Sequence, residues 1–314
     1  MTRRRLRHAF EYIAFRVIVC LIEALSPRSA DRLAGRIAFV IDRWLPVRWN
    51  RNDVARVNMQ IAFRGELTDR QLDRLVSRMW VNLVRTVIEV LQFRRRLSRD
   101  TFNDLVCFRN REAMVSVLCS NRPVILVSGH FGNWELAVWV LGLFGFPLGV
   151  VARRLDNPHL DRFFDRFRRA TGHELIDKRG AAGSMIDRLE SNGQLAVLAD
   201  QDAGPRGLFV DFLGHPASTF KSIALLALRY NAVICVGYAR RLPASDNGPR
   251  FEMGCEELID AASLDSDDPI RELTQRYTLA LERVVRRDPD QYFWVHRRWK
   301  SRPGHRRARR RRAA

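Results

Sequence analysis

Several things are scarce in this 314-residue chain. Lysine stands only at positions 178, 221 and 300, so any positive surface must be built from arginine. Acidic residues are in deficit, 35 against 54 basic ones, which leaves a formal charge of +19 and excludes a surface indifferent to anions. Nucleic acid, anionic lipid and phosphorylated substrates all suit such a field. Arginine's planar fork favours bidentate phosphate contact, although genomic base composition produces the same bias. Cysteine is sparse and unpatterned: Cys20, Cys107, Cys119, Cys235 and Cys255 form no C-x-x-C pair, which argues against a disulfide framework and for reduced core thiols in a cytoplasmic compartment. No internal repeat is present, so a repeat architecture is excluded.

Long uninterrupted apolar runs are missing as well. A hydrophobic stretch follows Arg3, Arg4 and Arg5 as far as Leu25, but Glu11, Arg16 and Glu23 interrupt it. A spanning helix wants roughly 20 predominantly apolar residues. Phe10, Ile13, Ala14, Val17, Cys20, Leu21 and Leu25 instead recur at helical spacing, which fits a helix lying in a membrane interface, a weak anchor, or a helix packed on the domain. No small-x-small cleavage site follows, so a cleaved signal is not expected. Residues 1–28 are therefore set apart as an N-terminal interface or anchor helix.

What is present is enough apolar material, 46% of residues, for one sizeable core over 29–300. Helical periodicity covers 34–44, 51–63 and 68–93, with Thr68 and Gln71 spaced as a capping box. From Pro123 the period changes. Strand-like runs at 124–128, 149–153, 174–176, 195–199, 208–213 and 233–239 alternate with helical runs at 134–143, 159–171, 183–190 and 220–230. A further strand at 251–259 and an amphipathic helix at 269–287 follow. The expected fold is α/β, a mostly parallel sheet flanked by helices, with an N-terminal helical lead-in (29–120) before an α/β core (121–300). Residues 301–314 read as a basic, disordered tail that suits anionic lipid; without interleaved aromatics it gives nucleic acid no support.

His130 follows the run Val124-Ile125-Leu126-Val127-Ser128 through Gly129, which puts it at the carboxyl end of a strand, where open α/β sheets bind ligands. Gly132-Asn133 supply a break and an N-cap, and Trp134-Glu135 open a helix. On one α-helix a spacing of five would hold His130 and Glu135 about 140° apart. Across a loop-to-helix junction they can meet, with Glu135 accepting the His130 Nδ1–H and leaving Nε2 to take a proton from an alcohol. The positive helix end would favour ionised Glu135 and neutral His130. Spacing alone equally allows a loop histidine and a first-turn carboxylate that merely satisfy local hydrogen bonds. Ser128 lacks the Gly-x-Ser-x-Gly elbow of a serine hydrolase.

Other candidates sit at strand ends. Arg153 and Arg154 could hold a phosphate or carboxylate bidentately, or simply pair with Asp156 or Asp161. Asp200 and Asp202 flank Gln201 after 195–199, and two carboxylates at that spacing could bind a divalent metal as in Asp-x-Asp glycosyltransferases. The remaining histidines show no ligand spacing, and no metal is expected.

Ser128-Gly129-His130-Phe131-Gly132-Asn133-Trp134-Glu135 resembles the lauroyl and myristoyl acyltransferases of lipid A biosynthesis. Val151-Ala152-Arg153-Arg154-Leu155-Asp156-Asn157-Pro158, Ala199-Asp200-Gln201-Asp202-Ala203-Gly204-Pro205-Arg206-Gly207 and Gln291-Tyr292-Phe293-Trp294-Val295-His296-Arg297-Arg298-Trp299-Lys300 extend the resemblance in order, across nearly the whole chain. It implies an O-acyltransferase in which His130 is the base and Glu135 its partner. A fatty acyl chain would pass from acyl carrier protein or coenzyme A to a glycolipid hydroxyl, with no cofactor, at the cytoplasmic face of the inner membrane. It also implies that Asp200, Gln201 and Arg206 shape a substrate site. Arg154 stands where the family pattern leads one to expect proline, and the arginine-rich tail lies outside that pattern, so the acceptor is open. The resemblance reaches equally to acyltransferases of phosphatidylinositol mannosides.

Overall fold

The computed structural model describes residues 3–245 and 248–303; the basic tail past residue 303 lies outside the described residues. The lead-in is helical: α1 (Arg3–Ala24), α2 (Pro27–Arg43), α3 (Val47–Asn50), α4 (Asn52–Ala62) and α5 (Asp69–Arg96). Local chemistry sets two of these starts. The Ser26 hydroxyl accepts from Ser29 N–H, and Pro27 occupies the first turn of α2, where a missing N–H is tolerated. Thr68 and Gln71 form the expected capping box at α5. On α2, Ala30, Ala34 and Ala38 are buried at i, i+4 spacing against α5, and such small side chains let the two helices approach closely.

The outer face of α1 is apolar yet exposed: Leu6, Phe10, Ile13, Val17 and Leu21 all face away from the protein. Its inner face buries Val19 and Ile22, sets Phe15 on Phe163 with ring centroids 5.1 Å apart, and is tied to α5 where Gln92 Nε2 donates to the Ile22 carbonyl. No helix of the described residues is long and apolar enough to cross a membrane.

Beyond α5 come α6 (Phe102–Leu105), β1 (Val106–Arg109), α7 (Arg111–Leu118), β2 (Val124–Ser128), α8 (Trp134–Leu143), β3 (Leu148–Ala152), α9 (Pro158–Arg169), β4 (Glu174–Asp177), α10 (Ala182–Glu190) and β5 (Gln194–Leu198). They are followed by β6 (Leu208–Phe212), β7 (His215–Thr219), α11 (Ser222–Arg229), β8 (Val233–Ser245), β9 (Gly248–Asp260) and α12 (Pro269–Arg287). Seven strands form one sheet in the order β1-β9-β8-β2-β5-β3-β4, parallel throughout except at the β8–β9 hairpin. The central strand β2 is covered on both sides. Val124 and Leu126 enter one core cluster and Ile125 and Val127 the other, which is why its sequence is a continuous apolar run.

Two strands depart from expectation. The run at 208–213 does not join the main sheet, because Leu213 and Gly214 both take positive φ (56° and 79°) and turn β6 straight back onto β7 as a separate hairpin. Val106–Arg109, inside the stretch read as helical lead-in, is an edge strand parallel to β9. The five cysteines are unpaired, but only Cys235 and Cys255 are buried; Cys20 and Cys119 are exposed and Cys107 is intermediate, so the reading of all five as core residues is corrected.

The turn from β2 into α8 fixes the site described next. Gly132 has φ +56°, and a Cβ there would stand 2.0 Å from the Ala239 carbonyl oxygen of β8. Both the left-handed backbone and the close approach demand glycine. Gly132→Ala should therefore lower the unfolding free energy by about 2–4 kcal/mol, read from urea titration. A loss within error of zero would show that the turn relaxes freely.

Candidate functional site

Four chain segments meet at the carboxyl end of β2. Ser128 pairs in register with Leu198 of the adjacent parallel strand β5, so the chain two residues further on carries His130 on one side and Asp200 on the other. Asp200 grips His130 twice: Oδ1 lies 2.8 Å from the ring Nδ1, and Oδ2 accepts the His130 backbone N–H at 2.8 Å. An ionised carboxylate only accepts, so Nδ1 carries the proton and Nε2 is left as the ring's second nitrogen. The C-terminal segment closes the loop from beyond. Phe293 N–H donates to the His130 carbonyl at 2.9 Å, Gly132 N–H donates to the Gln291 carbonyl at 3.0 Å, and Asn133 N–H donates to Ala239 at 2.9 Å. On α4, Asn58 clamps that segment through the Trp294 and His296 carbonyls, both at 2.6 Å.

The expected bond from His130 to Glu135 is not the one formed. Glu135 sits in the first turn of α8 and accepts from Arg168 of α9 at 3.0 Å, while the His130 ring is turned toward Asp200 and held edge-on against Trp134 at 5.1 Å. Asn133 does cap α8 as expected, its side chain accepting from Leu136 N–H and donating to Glu89 of α5 at 2.9 Å.

The electrostatics follow from these contacts. Burial pushes His130 down from 6.5, but the Asp200 charge, the hydrogen bond to it and the more distant Glu135 charge outweigh burial and hold the imidazole above its ordinary value. That reverses the expectation that the helix end keeps His130 from protonating. Burial pushes Asp200 up, yet His130 and the buried Arg298 hold it below the usual carboxylate range. Arg298 donates to the Ser218 carbonyl at 2.5 Å and Thr219 Oγ1 at 2.6 Å, with its guanidinium over the Phe212 ring. Burial and the Asp200 charge raise the Tyr292 phenol well above its ordinary value.

The remaining expected residues are scattered. Arg153 pairs with Asp156 at 3.3 Å, and Arg154 with Asp161 at 3.4 Å and Asp177 at 3.6 Å, all as largely solvent-facing arginines just past β3. They share the sheet's carboxyl end with His130, but their charge is already met by acids. Asp202 is a loop brace: its carboxylate accepts from Gly204 N–H and from Ser301 Oγ, and its own N–H donates to His296 Nε2. Asp200 and Asp202 thus turn their oxygens to different donors, and the described residues hold no group of three His, Cys, Asp or Glu side chains suited to a metal. The Gln201 carbonyl faces Arg298, and Arg206 is exposed in the following turn. The sequence reading did not single out Tyr292 or Arg298 individually; both belong to the 291–300 motif, whose aromatic and basic density was the available signal.

Beside the His130 loop a narrow apolar cavity of about 100 Å³ runs between α8 and the sheet. Ser128, Trp134, Glu135, Leu141, Leu148 and Met253 are among the residues that line it.

The model of the bacterial lipid A biosynthesis acyltransferases matches residues 2–301. The chain belongs to that family. Among members with named activities, a phosphatidylinositol mannoside acyltransferase of Mycolicibacterium smegmatis is 31% identical over 38% of this chain and 40% of its own length. A lipid A biosynthesis acyltransferase of Shigella flexneri is 22% identical over 77% of this chain and 75% of its own, and the lipid A biosynthesis lauroyltransferase of Escherichia coli is 28% identical over 61% of each. The first of these alignments therefore spans less than half of the relative's length. A solved 1-acyl-sn-glycerophosphate acyltransferase from Thermotoga maritima overlays on 84% of this chain and 99% of its own, with 13% identity and a TM-score of 0.41. Within the acyltransferase family, the His-x4-Glu spacing of this chain coexists with a histidine whose nearest carboxylate is Asp200.

The two carboxylates are separable by titration. Asp200→Asn removes the charge that raises His130, so its midpoint, followed by imidazole NMR shifts, should fall. Glu135→Gln removes only a distant charge and should lower it less. A larger drop for Glu135→Gln would make Glu135 the electrostatic partner instead.

Proposed function

We propose that this protein moves a fatty acyl chain from an acyl thioester to a hydroxyl of a membrane glycolipid, with His130 as general base and Asp200 as the residue that orients it. The observation that carries the reading is a histidine anchored at Nδ1, with Nε2 left over, packed against Trp134, which lines an apolar cavity. As the acceptor oxygen attacks the thioester carbonyl, Nε2 takes its proton. The tetrahedral intermediate then collapses, the C–S bond breaks, and the proton passes from the imidazolium to the departing thiolate. Asp200 stays ionised and stabilises the imidazolium in between. The thioester supplies its own leaving group, so neither a covalent enzyme intermediate nor a metal is required.

The apolar lining suits the carbons of the acyl chain next to the thioester; the donor is acyl carrier protein or coenzyme A, and the acceptor a lipid A precursor or another glycolipid such as a phosphatidylinositol mannoside. Glu135, bound to Arg168 in the cavity lining, is assigned to shaping that cavity. The exposed stripe of α1 and the arginine-rich surface support a peripheral seat on an anionic membrane, at its cytoplasmic face.

His130→Ala should lower kcat by about 10²–10⁴-fold in an acyl-transfer assay, the range a positioned base contributes. Full activity in that variant would end the mechanism. Because the base form grows as pH rises through a raised pKa, the wild-type rate should climb with a midpoint above 6.5, and Asp200→Asn should move that midpoint down. Gly237 borders the cavity with no neighbour nearer to a built Cβ than the Gly254 carbonyl oxygen at 3.7 Å. Gly237→Leu should shift the preferred donor to shorter chains, measured by competition between thioesters of different length; an unchanged preference would place the chain elsewhere.

A further inference from the structure

A second cavity, about 350 Å³, opens between the first turns of α2, the last turns of α5 and the distal half of β8. Five guanidinium groups line it, those of Arg28, Arg32, Arg85, Arg96 and Arg241, against two carboxylates. Those carboxylates are already engaged: Asp31 with Arg85 at 2.5 Å, and Glu89 with Arg241 at 2.9 Å. Arg28 aside, the described lining keeps two guanidinium groups, those of Arg32 and Arg96, beyond the two matched to these carboxylates. Arg96 gives one N–H to the Leu25 carbonyl at 2.9 Å, and burial together with the neighbouring Arg95 holds its pKa below the ordinary value, as expected where positive charge is under-compensated.

We propose that this cavity binds the phosphate ester of an anionic lipid. Guanidinium groups match phosphate oxygens in planar, charge-assisted pairs, and several of them converge here on one concave space. Ile88 and Leu242 give the same space an apolar wall for the carbons next to the ester. Among the described residues no aromatic side chain lines it, so they offer no stacking surface for a nucleotide base. It also lies at the α1–α2 junction, where the exposed apolar stripe of α1 ends at Leu21 and the Leu25 carbonyl meets Arg96. An amphiphile is thus met by apolar surface and by cations in adjoining places. Arg153 and Arg154, the sites at which phosphate was first expected, offer the opposite balance, with three acids around two arginines. The inference does not rest on acyl transfer or on His130.

The test uses the full chain and vesicle sedimentation, with phosphatidylcholine alone, phosphatidylcholine doped with phosphatidic acid, and inorganic phosphate as a soluble competitor. Arg32→Gln combined with Arg96→Gln should weaken binding to the doped vesicles by about tenfold or more. Arg70→Gln with Arg74→Gln, which removes the same charge at the opposite end of α5, should change it by no more than about twofold, as distributed surface charge does. His130→Ala should bind as the wild type does. Circular dichroism checks the fold; because Arg96 also holds the Leu25 carbonyl, the exposed Arg32→Gln alone carries the comparison should the double variant unfold. Equal losses in the two pairs of variants, or no loss in the first, would overturn the site. Inorganic phosphate that is bound as tightly as the lipid-borne ester would overturn the lipid assignment.

Discussion

The site depends on the parallel pairing of β2 with β5. Ser128 opposite Leu198 sets the next turns of two chains side by side, and the residues two positions on are His130 and Asp200. A slip of one residue would exchange the faces of either strand and separate them. Everything else around the loop reinforces this register. Glycine at 132 lets the chain press against β8, and Gln291 and Phe293 close the exposed side with backbone hydrogen bonds. The histidine is therefore held by the sheet itself and by a returning C-terminal segment, with little freedom left in the loop.

Burying Asp200 would be costly if it stood alone, since an unpaired carboxylate loses its hydration. Here two donors from one residue and a buried arginine nearby keep it ionised. The balance has a direction. Asp200 raises the basicity of His130, whereas Arg298 pulls on Asp200 and limits how strongly that carboxylate competes for the shared proton. The shared proton stays on the ring and the carboxylate stays ionised, which suits a base whose second nitrogen must do the work.

Much of this was readable in the chain because local chemistry wrote it. The strand ending at Ser128, the cap at Asn133, the capping box at Thr68 and the alternation that signals an α/β core all rest on near neighbours in sequence. The partner of His130 was not readable in that way. Glu135 is five residues away and Asp200 seventy, and only strand order decides between them; periodicity reveals strands but not which ones lie side by side. The same limit hid Asp177 of β4 as a partner of Arg154, whereas Asp156 and Asp161 were near enough in sequence to be named. It also explains the strand at 208–213, which has the composition of a sheet member and is diverted by two positive-φ residues. Of the candidate site, the identity and seat of His130 were legible, and Asp200 was picked out as a strand-end carboxylate with a different role.

One helix of the lead-in reaches both the His130 loop and the arginine-lined cavity. α5 offers Thr86 Oγ1 to the Gly132 carbonyl and Glu89 to Asn133, so it braces the loop that carries His130. With Arg85, Ile88 and Glu89 it also walls the arginine-lined cavity. Glu89 serves both sides at once, accepting from Arg241 on the cavity side and from the residue that caps α8 on the other. A rigid helix of 28 residues that touches both places fixes their separation, because its spacing cannot stretch with side-chain movement. The net charge of +19 acquires a local meaning from the same comparison. Where arginines meet acids, as at 153 and 154, they hold surface loops; where they outnumber acids in a concave space, they leave a field for an anion to fill.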